Sequence, residues 1–96
     1  MYLVVSQWEA LPGHDEEFER IGLEVGDVLG SLPGVEFLKS FQAESGRIVA
    51  VHGYTDEATY NNIVNNPDSP FIKAIQEKQL ESHGRWISSD RGVTRQ

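Results

Sequence analysis

Residues 35 to 64 read "VEFLKSFQAESGRIVAVHGYTDEATYNNIV", and the fold is decided here. Two runs rich in β-branched and aromatic residues, 35–42 and 47–54, flank the short polar turn "AESG", the pattern of an antiparallel hairpin. In the first run the alternation puts Val35, Phe37 and Phe41 on one side and Glu36, Ser40 and Gln42 on the other. In the second run Ile48, Ala50, His52 and Tyr54 share a face. Thr55 or Asp56 then caps a helix through "EATYNNIV", so the hairpin feeds directly into a helix.

Upstream of the hairpin, "YLVVSQW" (residues 2 to 8) is a strand stopped by "LPG". Leu3 and Val5 point one way and Tyr2, Val4 and Trp8 the other; two apolar faces place this strand in mid-sheet. The acidic cluster Asp15, Glu16, Glu17 suits a helix N-terminus, and Phe18, Ile21, Val25, Val28, Leu29 and Leu32 form one apolar stripe ending at Pro33-Gly34. Downstream, "NNPDSP" breaks the helix, Ser69 caps a further segment with Pro70 at its first position, and Phe71, Ala74 and Ile75 supply its buried side. A last strand is expected at 82–88, followed by a loose tail over 89–96.

The element order is βαββαβ in a single domain, 1–96. This is the α+β, ferredoxin-like plan: a four-stranded antiparallel sheet with two helices on one face. The other face carries apolar side chains of the first strand with no helix to cover them, so a second copy of the chain is the expected cover and a homodimer the expected state.

Fifteen acidic against eight basic residues give a net charge of -7, with the cations Arg20, Lys39, Arg47, Lys73, Lys78, Arg85, Arg91 and Arg95 scattered along the chain. Phosphate backbones and anionic lipid are repelled by such a field, so neither nucleic acid nor membrane is an expected partner. No apolar run approaches the roughly 20 residues of a membrane span, and a cytoplasmic location is the default. Without cysteine there are no disulfides or thiolate ligands, and His14, His52 and His83 do not have metal-ligand spacing, so no metal is expected.

Element order, "LPG" after the first strand, "LPGVEFL" at the join of first helix and second strand, and "GYTDEATYNNI" together resemble the antibiotic biosynthesis monooxygenase family of dimeric α/β barrels. The resemblance implies two ferredoxin-like units paired sheet to sheet. It also implies an oxidoreductase that uses O2 on a small aromatic, quinol or polyketide-like compound with no bound cofactor. Tyr54 matches the strand-ending aromatic, usually tryptophan in the family, and Tyr60 matches a helix aromatic near bound substrate in polyketide-oxidising members. Where haem-degrading members place an axial histidine, this chain has "FIKAIQ" (71–76), so haem is not expected. Superfamily members also include isomerases of small metabolites and proteins without known reaction, so a non-catalytic ligand-binding or stress-associated domain and an isomerase are the alternatives.

The candidate catalytic residues are thus Tyr60, His52 and Asn62, as hydrogen-bond donors or, for His52, as a base. Tyr54, Trp8, Ala50, Ile63, Phe71 and Trp86 are the candidate lining of a site for a small hydrophobic or aromatic molecule. Each has a plainer reading. His52 is then a hydrogen-bonded strand histidine, the tyrosines amphipathic core residues, and the tryptophans stacking or dimer contacts between neighbouring strands. The discriminating expectation is that Tyr54, Tyr60 and His52 meet on the helix-covered side of the sheet, in one cavity.

Overall fold

A computed structural model describes residues 1–95. The elements are β1 (Tyr2–Ala10), α1 (Asp15–Gly30), β2 (Val35–Gln42), β3 (Ile48–Tyr54), α2 (Glu57–Val64), α3 (Pro70–Glu77) and β4 (Gly84–Val93), with a 3-10 turn at Leu80–Ser82 before β4. The four strands form one antiparallel sheet in the order β2-β3-β1-β4. The two-faced strand β1 is therefore central, as its composition requires.

Local chemistry accounts for the boundaries. In α1 the acidic residues occupy the first turn and Phe18, Ile21, Val25 and Leu29 are buried. Asp56 caps α2 by accepting from the Thr59 backbone N–H at 2.8 Å. Ser69 caps α3, accepting from Ile72 N–H at 3.2 Å with Pro70 at the start of the helix, while its own hydroxyl donates to the Ile63 carbonyl at the end of α2. One buried serine thus links the two short helices across the proline break.

Two expectations are corrected. The alternation placing Val35 beside Phe37 fails because the β2–β3 register shifts between them: Val35 pairs with Tyr54 and Phe37 with Gly53. The extra residue, Glu36, turns the following side chains over, so Val35 and Leu38 pack on the helix side while Phe37 and Phe41 lie on the other face. The sequence predicts a loose tail from residue 89, yet β4 runs to Val93 and pairs along β1 as far as Tyr2. An edge strand is exposed on most of its surface and so shows no apolar alternation; main-chain ladder bonds hold it instead. Of that predicted tail, Gln96 lies outside the described residues.

Helix-side residues form two clusters. Tyr2, Val4, Leu29, Tyr54, Tyr60 and Ile63 make one, and Phe18, Ile21, Val25, Ala74 and Leu80 the other, with Phe71 touching both. Between them the sheet carries short side chains: Ser6 pairs with Ala50 on one side and Ser89 on the other.

The turn entering β2 sets the position of α2. Gly34 has φ 88° and a Cβ there would lie 2.5 Å from Thr59 Cγ2, so alanine would meet both left-handed strain and a clash. Gly34→Ala should destabilise by about 1–3 kcal/mol in urea unfolding. Gly22→Ala, within α1 and with nothing within 4 Å of the added methyl, should instead stabilise by up to about 1 kcal/mol.

Candidate active site

The ladder decides which residues can meet. Tyr54 pairs with Tyr2 and His52 with Val4, and Tyr2 and Val4 are both buried against the helices. Strand alternation then puts Tyr54, His52, Ala50 and Ile48 on the helix-covered face. On α2, Tyr60 and Ile63 turn toward the sheet. The Tyr54 and Tyr60 rings meet edge to face with centroids 5.4 Å apart, and Tyr2 lies 5.1 Å from Tyr60. The imidazole of His52 lies edge-on to Tyr54, its Nδ1 3.1 Å from the phenol oxygen. The two phenols and the imidazole thus meet on the helix-covered side, in direct ring contact.

The two candidate phenols differ in one respect that matters chemically. Tyr54 is 0% exposed and its hydroxyl is engaged by His52. The Tyr60 hydroxyl has no hydrogen-bond partner among the described residues, and since no fully buried side-chain oxygen or nitrogen lacks one, it reaches the accessible surface. The Arg91 guanidinium lies 5.9 Å from the centre of the Tyr60 ring, over its face. Sequence alone leaves Arg91 in the tail; the ladder pairing of Arg91 with Val4 carries it to the site.

Burial sets the electrostatics. It lowers the His52 pKa to about 4, so the imidazole is neutral at neutral pH. Burial, with the proximity of Tyr60 second, holds the Tyr54 phenol well above the usual tyrosine range. Both groups therefore keep their neutral forms, and the bond between them joins a neutral phenol to a neutral imidazole. A ring that resists protonation down to about pH 4 is a poor proton acceptor, which favours an orienting role for His52 over that of a base.

The remaining candidates divide. Ile63 is buried in the tyrosine cluster and Phe71 packs against it, while Ala50, paired with Ser6, sits on the same sheet face. Trp8 belongs to the other cluster, 6.1 Å from the Phe18 ring. Trp86 pairs with Trp8 but is 56% exposed, its indole N–H donating to Ser89 Oγ at 2.8 Å, and Ser89 Oγ is 2.9 Å from Ser6 Oγ. Asn62 is not brought to the phenols: two residues beyond Tyr60, it points away from the buried face and is exposed. A concavity of about 550 Å³ lies elsewhere, lined by Gln7, Glu9, Ala10, Asp15, Ser45, Gly46 and Arg47, none of them a candidate. Among the described residues no group of three or more His, Cys, Asp or Glu side chains could hold a metal ion, and no helix is long and apolar enough to cross a membrane.

The His52 environment makes a pH-dependent prediction. The unfolded chain binds a proton on this ring from about pH 6.5 downward, and the folded chain only near pH 4, so over that window acid favours unfolding. Stability should fall as pH drops from about 6.5 to about 4, and less steeply in His52→Gln than in the parent, in thermal unfolding followed by circular dichroism. The difference between the two proteins isolates His52 from other titrating groups.

Neither a protein-family profile nor a curated protein matches this sequence. Solved structures do. SnoaB from Streptomyces nogalater, a cofactor-independent oxygenase, superposes with TM-score 0.78 at 14% identity over 99% of this chain and 93% of that one. Rv0793 from Mycobacterium tuberculosis gives TM-score 0.80 at 10% identity, covering 97% of this chain and 93% of that one. A structure described as an antibiotic biosynthesis monooxygenase gives 0.74 at 14% identity over 98% and 96%. At these identities the likeness is one of architecture, and this chain has the ferredoxin-like fold of the antibiotic biosynthesis monooxygenase structures along nearly its whole length.

Proposed function

We propose that the chain is a member of the antibiotic biosynthesis monooxygenase family and a cofactor-independent oxygenase of a small aromatic, quinol or polyketide-like compound. The observation that carries this reading is the unequal pair of phenols: Tyr54 is sealed and satisfied by His52, while Tyr60 offers a free hydroxyl next to the only cation placed over its ring among the described residues. A free donor beside a guanidinium suits an anion that develops on a phenolic or enolic oxygen. The likeness to SnoaB, a cofactor-independent oxygenase, supports the reaction class.

On this reading the substrate ring lies over the short side chains of Ser6 and Ala50, with Phe71 against it and Tyr60 at one end. Loss of a proton leaves a carbon acid or phenol as its anion. One electron passes to O2, the resulting radical recombines with superoxide at carbon, and the peroxide takes up a proton and collapses with loss of water. One oxygen atom enters the product as a carbonyl and the other leaves as water. Tyr60 steadies the anion; His52 holds Tyr54, and through ring contact Tyr60, in place.

The oligomer belongs to the same proposal. On the helix-free face Val5 and Phe41 are 37% and 55% exposed, beside the partly covered Phe37 and Val51, an apolar strip that a second copy would bury sheet to sheet. A cytoplasmic dimer is the working unit on this reading. Sedimentation should find a dimer at micromolar concentration, with apparent stability rising with protein concentration; a stable monomer would remove the dimer.

Oxygen uptake with a panel of anthrones and quinols tests the activity. Tyr60→Phe should keep the fold while lowering turnover by a factor on the order of 10²–10³, the usual worth of one donor at a developing anion. Unchanged turnover would return Tyr60 to a packing role. Binding of the same compounds without oxygen uptake would favour a ligand-binding domain.

A further inference from the structure

A second constellation lies away from the phenols. His14, at the N-terminus of α1, and His83, just ahead of β4, are 69 residues apart in sequence, yet their Nδ1 atoms are 3.0 Å apart. The rings are tilted by 50° with centroids 5.2 Å apart, and both side chains are half-buried. The main chain fixes them from the same point. The Leu11 carbonyl accepts from His14 N–H at 2.9 Å, the Leu11 N–H donates to the His83 carbonyl at 2.9 Å, and His83 N–H donates to the Leu80 carbonyl at 3.1 Å.

Two facing imidazole nitrogens can bond only if one carries a proton and the other a lone pair. A transition ion bonded to both nitrogens at about 2.05 Å would subtend an angle of about 94° at a separation of 3.0 Å, whereas a tetrahedral ion needs about 3.3 Å. Near-right angles are the cis geometry of tetragonal and octahedral ions, and imidazole ligands suit copper and nickel.

We propose that His14 and His83 form a two-nitrogen chelate for a divalent transition ion of the copper or nickel type. The ion replaces the shared proton: the ring that donated through Nδ1 moves its hydrogen to Nε2, both rings stay neutral, and no net proton is released. Among the described residues no further His, Cys, Asp or Glu completes a cluster of three, so water fills the remaining positions. Glu17, one turn along α1, is exposed and held by Arg20 at 2.7 Å. The histidine pair is independent of the proposed oxygenase site, since it shares no residue with the tyrosine cluster.

The test is a nickel chloride titration of the whole chain by calorimetry, with the imidazole resonances followed by NMR. One equivalent should bind, and the ring signals of His14 and His83 should broaden first while those of His52, on the sheet, persist. His14→Gln and His83→Gln should each weaken binding by more than about tenfold. The NMR arm uses the parent protein and stands even if a variant folds poorly. No saturable uptake, broadening that begins at His52, or undiminished binding in a folded double variant would each overturn the proposal and leave the pair as a hydrogen bond between the connections that precede α1 and β4.

Discussion

Tyr54 is a large polar side chain with no exposed surface, and its hydroxyl meets the Nδ1 of His52. A buried phenol without a partner would cost about 1–3 kcal/mol, so this bond makes the ring tolerable where it stands. Much else rests on that ring. It ends β3, pairs with Tyr2 of β1 and Val35 of β2, and forms the surface on which Tyr60 of α2 packs edge-on. Two strands and a helix are thus located against one side chain, whose partner is neutral at neutral pH.

The same packing separates two roles that residue type alone cannot distinguish. Tyr54 and Tyr60 are chemically alike, yet one is consumed by structure and the other keeps a hydroxyl for the outside. Arg91 over Tyr60 adds a local positive charge in a chain whose net charge is -7. Local arrangement, not overall composition, sets what such a site attracts. Hydrogen bonds link Trp86 through Ser89 to Ser6, and the short side chains of Ser6 and Ala50 lie between the two aromatic clusters.

Most of the architecture could be read from periodicity and punctuation, because α1 has an unbroken apolar stripe and Asp56, Ser69, Pro67 and Pro70 mark helix ends by their own chemistry. The face shared by His52 and Tyr54 followed from strand alternation. What escaped was long-range or register-dependent. The Glu36 irregularity shows only in the pairing with β3, and the extension of β4 shows only because β1 supplies partners to polar residues that look like tail. Arg91 was missed for that reason, and the meeting of His14 with His83 depends on the pairing of β1 with β4 rather than on spacing. Asn62 was chosen by residue type and neighbourhood, and helical geometry turned it outward.

The neutral pair of half-buried His52 and buried Tyr54 is open to direct observation. Nitrogen-15 correlation spectra of the histidine rings recorded between pH 7 and pH 4 report protonation and tautomer ring by ring. The account predicts that His52 stays neutral at pH 5, with one ring nitrogen protonated and Nδ1 in a hydrogen bond to the Tyr54 phenol. A His52 that protonates near pH 6.5, like an exposed imidazole, would contradict the packing of its ring against Tyr54 and with it the placement of Tyr60.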